Sequence, residues 1–215
     1  MPEKVSAQKA YWDKVAPEKN FTLQPDMALL KKQLPFHAFV LDYGCGYGRT
    51  LEQLYRAGYT RTLGLDFSPA MVQRGRMQFP HLHLKKTDGV HTNLPAASVD
   101  MVMLIALLTC VVDDLEQQKL MAEFKRILKP GGLVYVMDFL LNEDERNRKR
   151  YAAFAKKYGK YGVFDLPEGA TLRHHSEGYV KNLMNGFRIV RFEKTKNKTM
   201  NGHVSNGFLL MAEKL

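Results

Sequence analysis

Only two cysteines, Cys45 and Cys110, occur in 215 residues, and both stand among apolar or glycine-rich neighbours without a partner nearby. Neither a disulfide framework nor a metal site is therefore expected. No window approaches the roughly 20 apolar residues that cross a bilayer, and the N-terminus MPEKVSAQKAYWDKVAPEK is charged throughout, without the apolar core of a signal peptide. These absences predict a cytoplasmic protein with no membrane partner. Internal repeats, low-complexity tracts and linkers are also missing, so the reading is one domain with one active site, long enough to bury its own core.

Acidic residues are the scarcer charge: 22 Asp and Glu stand against 32 Lys and Arg, a formal net charge of +10. Much of the excess lies in Arg146, Arg148, Lys149, Arg150, Lys156, Lys157 and Lys160, and again in Lys194, Lys196 and Lys198. In the first group the charges alternate with Tyr151, Ala152, Phe154 and Ala155 at helical spacing, which reads as the solvated face of an amphipathic helix. A nucleic-acid surface is the alternative. Against it, no separate binding module is present and the basic residues do not interleave with a stacking platform of aromatics.

Apolar runs of strand length alternate with helical patterns. Strands are expected at His37 to Tyr43, Thr60 to Asp66, His81 to Thr87, Val99 to Leu107 and Leu133 to Leu140. Helices are expected at Thr50 to Ala57, Ala70 to Gln78 and Leu115 to Leu128, the last stopped by Lys129-Pro130-Gly131-Gly132. Such alternation predicts an α/β fold, a single doubly wound and mostly parallel sheet of seven strands with helices on both faces. Two late strands, Phe187 to Lys194 and Val204 to Glu213, follow a short helix at Glu177 to Met184. The brief link between them suits an antiparallel hairpin. The chain thus divides into N-terminal helices packed over the domain (1–36), an alternating core (37–140) and an extension that ends in the hairpin (141–215).

The segment Val40-Leu41-Asp42-Tyr43-Gly44-Cys45-Gly46-Tyr47-Gly48-Arg49-Thr50 is a buried strand feeding a glycine-rich turn and a helix. Such turns bind nucleotide-like ligands, because glycine lets the backbone approach and the helix offers free amides. The dinucleotide fingerprint G-x-G-x-x-G would place its third glycine at Arg49, so the match fails there. Asp42 sets a carboxylate beside the ligand's centre, repelling a pyrophosphate and attracting an ammonium or sulfonium group. Asp66, 20 residues beyond Gly46, ends the second strand where a carboxylate accepts from ribose hydroxyls. A helix cap is its competing role, although Ser68-Pro69 already supplies one. Thr87-Asp88-Gly89 puts another carboxylate on this edge, suited to an adenine amine or to a plain turn.

Taken together, VLDYGCGYGRT, GLDFSPAMV, TDGVHTNLPAASVDMVML and LKPGGLVYVMDF, in that order over about residues 37–140, resemble the motifs of the class I, Rossmann-like S-adenosylmethionine-dependent methyltransferases. The resemblance implies S-adenosyl-L-methionine as cofactor along the carboxyl edge of the sheet. Gly44 and Gly46 would lie under its amino-acid portion, Asp66 on the ribose and Asp88 near the adenine. The full cofactor set it implies is Asp42, Gly44, Cys45, Gly46, Tyr47, Thr50, Asp66, Phe67, Met71, Asp88, Gly89, Leu104 and Ile105.

Methyl transfer from a sulfonium needs alignment and desolvation of the nucleophile more than a catalytic triad. The positions that usually face the methyl group, Leu104 and Ile105, are apolar, and the Asn/Asp-Pro-Pro-Tyr signature of relatives that methylate amide-like nitrogens is missing. Acceptor contacts then fall to the flanks. Tyr11 and Trp12 either line an acceptor pocket or pin a lid helix. His174 or His175 would serve as general base for an acceptor whose proton must leave; alternatively both sit in solvent while Ser176 caps the next helix. The loop Thr199 to His203 either closes over the same edge or is an ordinary turn. The expected function is transfer of a methyl group to an O, N or S nucleophile of a small molecule. The alternatives are an RNA methyltransferase using the basic extension and a non-catalytic nucleoside-binding protein. An NAD-dependent dehydrogenase is opposed by Asp42 and Arg49.

Overall fold

Helices α1 (Pro2–Val15) and α2 (Met27–Gln33) precede an alternating series: β1 (Val40–Tyr43), α3 (Arg49–Arg56), β2 (Thr62–Asp66), α4 (Pro69–Gln78), β3 (Leu84–Lys86), β4 (Val99–Ile105), α5 (Asp114–Ile127) and β5 (Leu128–Phe139). Then come α6 (Glu145–Tyr158), the short strands β6 (Val163–Asp165) and β7 (Thr171–Arg173), α7 (Glu177–Leu183), β8 (Phe187–Lys198) and β9 (Val204–Lys214). This computed structural model describes residues 2–215, with side chains from residue 8 onward. The main sheet has seven strands in the order β3-β2-β1-β4-β5-β9-β8. Its first five strands are parallel, and β9 joins β5 antiparallel with β8 beside it.

Every residue of β1 and β2 is buried, the pattern of parallel strands covered on both faces. Strand alternation divides the core in two. Leu41, Val102, Leu104, Val134 and Val136 pack on one face, and Val40, Met101, Met103, Tyr135 and Met137 on the other. Local chemistry fixes the helix starts. Ser68 accepts from Met71 N–H at 3.1 Å with Pro69 in the first turn, Asp113 accepts from Glu116 N–H at 3.0 Å, and Ser176 caps α7.

The chain runs from β1 outward through β2 to β3, then returns to β4 and β5 on the other side. The crevice where this direction reverses, at the carboxyl ends of β1 and β4, is where open α/β sheets bind ligands. The 141–215 stretch completes the sheet as well as covering that edge. It also holds the β6–β7 ribbon, which the sequence reading does not include: three residues per strand are too few to show a period. Among the described residues no helix is long and apolar enough to cross a membrane.

Candidate active site

After β1 the chain turns sharply because Gly44 N–H and Cys45 N–H both reach back to the Leu65 carbonyl, at 2.7 and 3.1 Å. Gly44 and Gly46 sit at φ 79° and 55°, the left-handed region that glycine enters without steric cost. Gly46 is also closely covered: a Cβ there would lie 2.4 Å from the Phe21 ring. Arg49 takes the third fingerprint position, and its guanidinium faces the N-terminal segment, donating to Gln24 Oε1 at 2.7 Å and to the Leu23 carbonyl.

Two carboxylates face the cleft above this turn. Asp42 is 1% exposed, and its Oδ1 is buried without a hydrogen-bond partner. Burial, reinforced by the negative charge of Asp66 and opposed by Arg49, pushes its pKa up to about 7. Asp66 accepts from Gly46 N–H at 2.8 Å and Ser68 N–H at 2.9 Å. Burial still lifts it to about 6. Helix α4 is capped by Ser68, so Asp66 is not its cap, and each of its oxygens keeps acceptor capacity toward the cleft. A buried acceptor with no donor is the mark of a site built for a cation or a hydrogen-bond donor from outside the chain.

Beyond β4, Ile105 lines the cleft, while Leu104 points into the opposite core face and is wholly buried. Ala106 follows at φ 54°, a conformation that costs a non-glycine residue. It is held by a hydrogen bond from its N–H to the Met137 carbonyl at 2.8 Å. The turn after it is pinned by the buried Asp138, which accepts from Thr109 N–H at 3.1 Å and Phe139 N–H at 2.7 Å. Burial pushes Asp138 up to about 7.

The walls come from both flanks. On one side Trp12, Phe21 and Leu23 reach the cleft. Their segment is tied down by Asp13, which accepts from Ser68 Oγ at 2.6 Å, and by Arg74, which donates to the Ala16 and Lys19 carbonyls. On the other side stand Arg146, Arg150, Phe164 and His174, with Thr199, Met200, Asn201, His203 and Ser205 from the β8–β9 hairpin. Together they bound a cleft of about 1320 Å³, its open mouth included.

The sequence candidates separate on this map. Asp42, Gly44, Cys45, Gly46, Thr50, Asp66, Phe67, Met71 and Ile105 all line the cleft. Asp88 lies outside it, solvent-exposed and paired with Lys86, and Gly89 is absent from the lining too, its carbonyl bound by Tyr43 Oη at 2.7 Å. Tyr47 is turned away beneath Arg74, 3.9 Å from guanidinium to ring centre. Tyr11 is buried beside Trp12, ring centres 5.0 Å apart, and only Trp12 reaches the cleft.

The histidine pair needs a larger correction, since neither ring sits in solvent and neither titrates near neutrality. His175 is 1% exposed. It stacks on Tyr179 and meets Gln117 Nε2 at 3.0 Å, away from the cleft, and burial pushes it down to about 3. His174 does line the cleft, but burial and the nearby Arg150 hold it well below the usual range. Its Nδ1 lies 2.6 Å from Tyr151 Oη and 3.3 Å from Asn142 Nδ2. Asn142 Oδ1 accepts from Asn206 N–H, which fixes the amide so that Nδ2 donates. The Tyr151 hydroxyl receives Asn142 N–H and finds no other acceptor than Nδ1 among the described residues. Nδ1 therefore accepts, and the neutral ring carries its hydrogen on Nε2. His174 offers the cleft a donor, not a base.

Several lining residues escape sequence reasoning. Ala106, Thr109 and Phe139 are ordinary in sequence and gain significance from backbone conformation and topology. Arg146 and Arg150 are legible as charges, and their four-residue spacing puts them on one helix face. Nothing in the sequence says that this face turns inward.

The family described as "Methyltransferase domain" matches residues 40–132. A stretch of 97 residues is 35% identical to isonocardicin synthase from Nocardia uniformis subsp. tsuyamanensis, covering 45% of this chain and 32% of that protein. A probable S-adenosylmethionine-dependent methyltransferase from Mycolicibacterium smegmatis is 31% identical over 97 residues, 45% of this chain and 36% of its own length. The chain therefore spans about a third of the length of these curated relatives. Among solved structures, a SAM-dependent methyltransferase from Methanosarcina mazei superposes with a TM-score of 0.85 at 25% identity, covering 90% of this chain and 99% of the other.

Proposed function

We propose that this chain, which belongs to the class I, Rossmann-like S-adenosylmethionine-dependent methyltransferases, transfers a methyl group to an O, N or S nucleophile of a small-molecule acceptor held in its cleft. The observation that carries the reading is the orphan Oδ1 of Asp42 at the glycine turn. It fits the donor's α-ammonium or sulfonium charge and disfavours a pyrophosphate. Asp66, with spare acceptor capacity toward the cleft, suits the ribose hydroxyls. A bound donor would supply a methyl group on a sulfonium: the S–CH₃ bond would break as the acceptor's new bond forms, sulfur would leave as a neutral thioether, and any proton on the nucleophile would pass to solvent at the open mouth of the cleft.

What the chain contributes is placement. Ile105 and Phe139 make a dry floor, Trp12 and Phe21 cover one side, and the α6 wall closes the other. Expelling water in this way strips the nucleophile of its hydration and fixes its approach. The same enclosure supports a small acceptor over a polynucleotide, which needs an open track. Much of the basic stretch has carboxylate partners of its own: Lys149 with Glu145 at 2.6 Å, Lys157 with Asp165 at 2.5 Å and Lys160 with Asp114 at 2.6 Å.

Thermal unfolding with S-adenosylhomocysteine and with NAD tests the cofactor assignment. At 100 times its dissociation constant the former should stabilise the fold by about 2.7 kcal/mol, and NAD should leave the melt unchanged. Equal shifts, or a shift with NAD alone, defeat the assignment. Incubation with methyl-labelled donor and a mixed metabolite and RNA pool then reads turnover. Label in the small-molecule fraction is expected; label in RNA, or none at all, overturns the acceptor class or the catalysis.

A further inference from the structure

The basic helix α6 does not present all its cations to solvent. Arg146 and Arg150, one turn apart, both line the cleft. Arg150 lies 3.5 Å above the Phe164 ring, half-buried, and its Nε is buried without a hydrogen-bond partner. Its other neighbours are the Tyr151 ring and hydroxyl. Among the described residues no carboxylate forms an ion pair with either arginine. Glu145 is paired with Lys149, and Asp144, whose charge is felt by both arginines, is engaged as the α6 cap, accepting from Asn147 N–H at 3.1 Å and from Asn147 Nδ2. Arginine keeps its charge in any protein environment, so Arg150 is a half-buried cation with no ion-paired carboxylate, an arrangement that an incoming anion would complete.

The adjoining groups are of one kind. His174 stands 5.0 Å from Phe164, ring centre to ring centre, and hydrogen-bonds Tyr151. With Nδ1 engaged, it presents only Nε2–H to the cleft. Guanidinium and imidazole N–H together offer this wall a set of donors, and the planar guanidinium fork matches carboxylate and phosphate oxygens.

We propose that the methyl acceptor carries an anionic group, a carboxylate or a phosphate monoester, gripped by Arg150, Arg146 and His174 Nε2–H at the α6 wall. The inference rests on the methyltransferase reading and narrows its substrate class. Phe164 and Phe139, flanking the same wall, favour an acceptor with an apolar or aromatic body. The +10 net charge would draw such acids to the protein over longer range.

The test uses the full chain saturated with S-adenosylhomocysteine and three probes titrated by calorimetry: phenylacetate, phenyl phosphate and the neutral phenylacetamide. At least one anion should bind about 10-fold or more tightly than the amide, the scale of a charge-assisted hydrogen bond; which anion leads distinguishes carboxylate from phosphate. Arg150→Met keeps the stem on Phe164 and should cut that preference to within about twofold, while the more exposed Arg146→Gln should reduce it in part. Each variant should bind S-adenosylhomocysteine within about twofold of the parent, which also reports that it has folded. An amide as good as the anions, no binding by any probe, or a preference that survives both substitutions overturns the proposal. Failure of S-adenosylhomocysteine itself to bind the parent would sink the methyltransferase reading instead, so the two outcomes are separable.

Discussion

If Asp42 meets the donor as proposed, its proton is coupled to binding. Its pKa is pushed up to about 7 by burial and by Asp66, far above the roughly 3.9 of an unfolded chain. A carboxyl group raised on folding contributes stability that is fully present below its unfolded pKa and lost as the pH rises through about 7. The ligand-free protein should therefore melt earlier at pH 8 than at pH 5, and Asp42→Asn should lessen that decline, the raised Asp138 and Asp66 supplying the rest. Binding runs the other way, because the ionised form is the one that attracts an α-ammonium or sulfonium. S-adenosylhomocysteine affinity should rise about 10-fold between pH 6 and pH 8, the ratio of ionised fractions for a group at about 7, and the Asn variant should lose most of that slope. A parent affinity flat across this range would mean that Asp42 plays no part in binding. That Asp42 lines the cleft was readable from its place two residues before Gly44, since strand end and turn together fix where the carboxylate goes. Asp88 was not: its turn has no buried strand to aim it, and solvent and Lys86 claim the side chain.

The glycine fingerprint shows how an element can keep a function after its sequence signature has moved. Close helix–strand packing, the role of the third fingerprint glycine, cannot come from Arg49. It comes from Gly64 on β2, where a Cβ would meet Leu51 of α3 at 2.7 Å, and from Gly75 on α4, where it would lie 2.7 Å from the Tyr47 carbonyl oxygen. Helix propensity alone says Gly75→Ala should gain about 1 kcal/mol. A backbone oxygen at that distance cannot move aside, and overpacking costs typically 1–3 kcal/mol, so the substitution should destabilise. Gly178 in α7 has nothing within 4 Å of its Cβ position, and Gly178→Ala should stabilise by about 0.5–1 kcal/mol. Denaturant unfolding of the two variants checks the contrast; the same sign for both would refute the packing account. Much of the sheet was legible for a related reason. Runs such as Val40–Tyr43 and Thr62–Asp66 are buried along their whole length and are read from short leucine- and valine-bearing stretches bounded by turn signals, whereas the β6–β7 ribbon and the inward turn of α6 depend on tertiary contacts that leave no local period.

The cleft carries carboxylates at the glycine turn, with Arg49 beside them, and two arginines on the α6 wall. Asp42 and Asp66 face it from the glycine-turn side, Arg146 and Arg150 from α6, so a cationic donor and an anionic acceptor would each be drawn to its own end and brought together over Ile105. The N-terminal segment joins this arrangement as a cover. Trp12, Phe21 and Leu23 reach the cleft, and the segment is held to the core by an apolar cluster of Tyr11, Trp12 and Ala16 with Tyr47 and Met71 and by polar ties: Asp13 to Ser68, Arg74 to the Ala16 and Lys19 carbonyls, and Arg49 to Leu23 and Gln24. A ligand that touches the cover binds only the closed form, so it should suppress opening by the factor 1 + [L]/Kd. Trypsin reads that opening at Lys14 and Lys19, which sit at the end of α1 and in the connection to α2. With S-adenosylhomocysteine at 100 times its dissociation constant, cleavage there should slow by up to about 100-fold where opening and reclosing are fast relative to cutting. Sites remote from the cleft, such as Lys31 and Lys32 on α2, provide the comparison and should change less. Equal protection at all four lysines would mean that the ligand stabilises the fold globally, and unchanged cleavage at Lys14 and Lys19 would mean that the segment does not close over the donor.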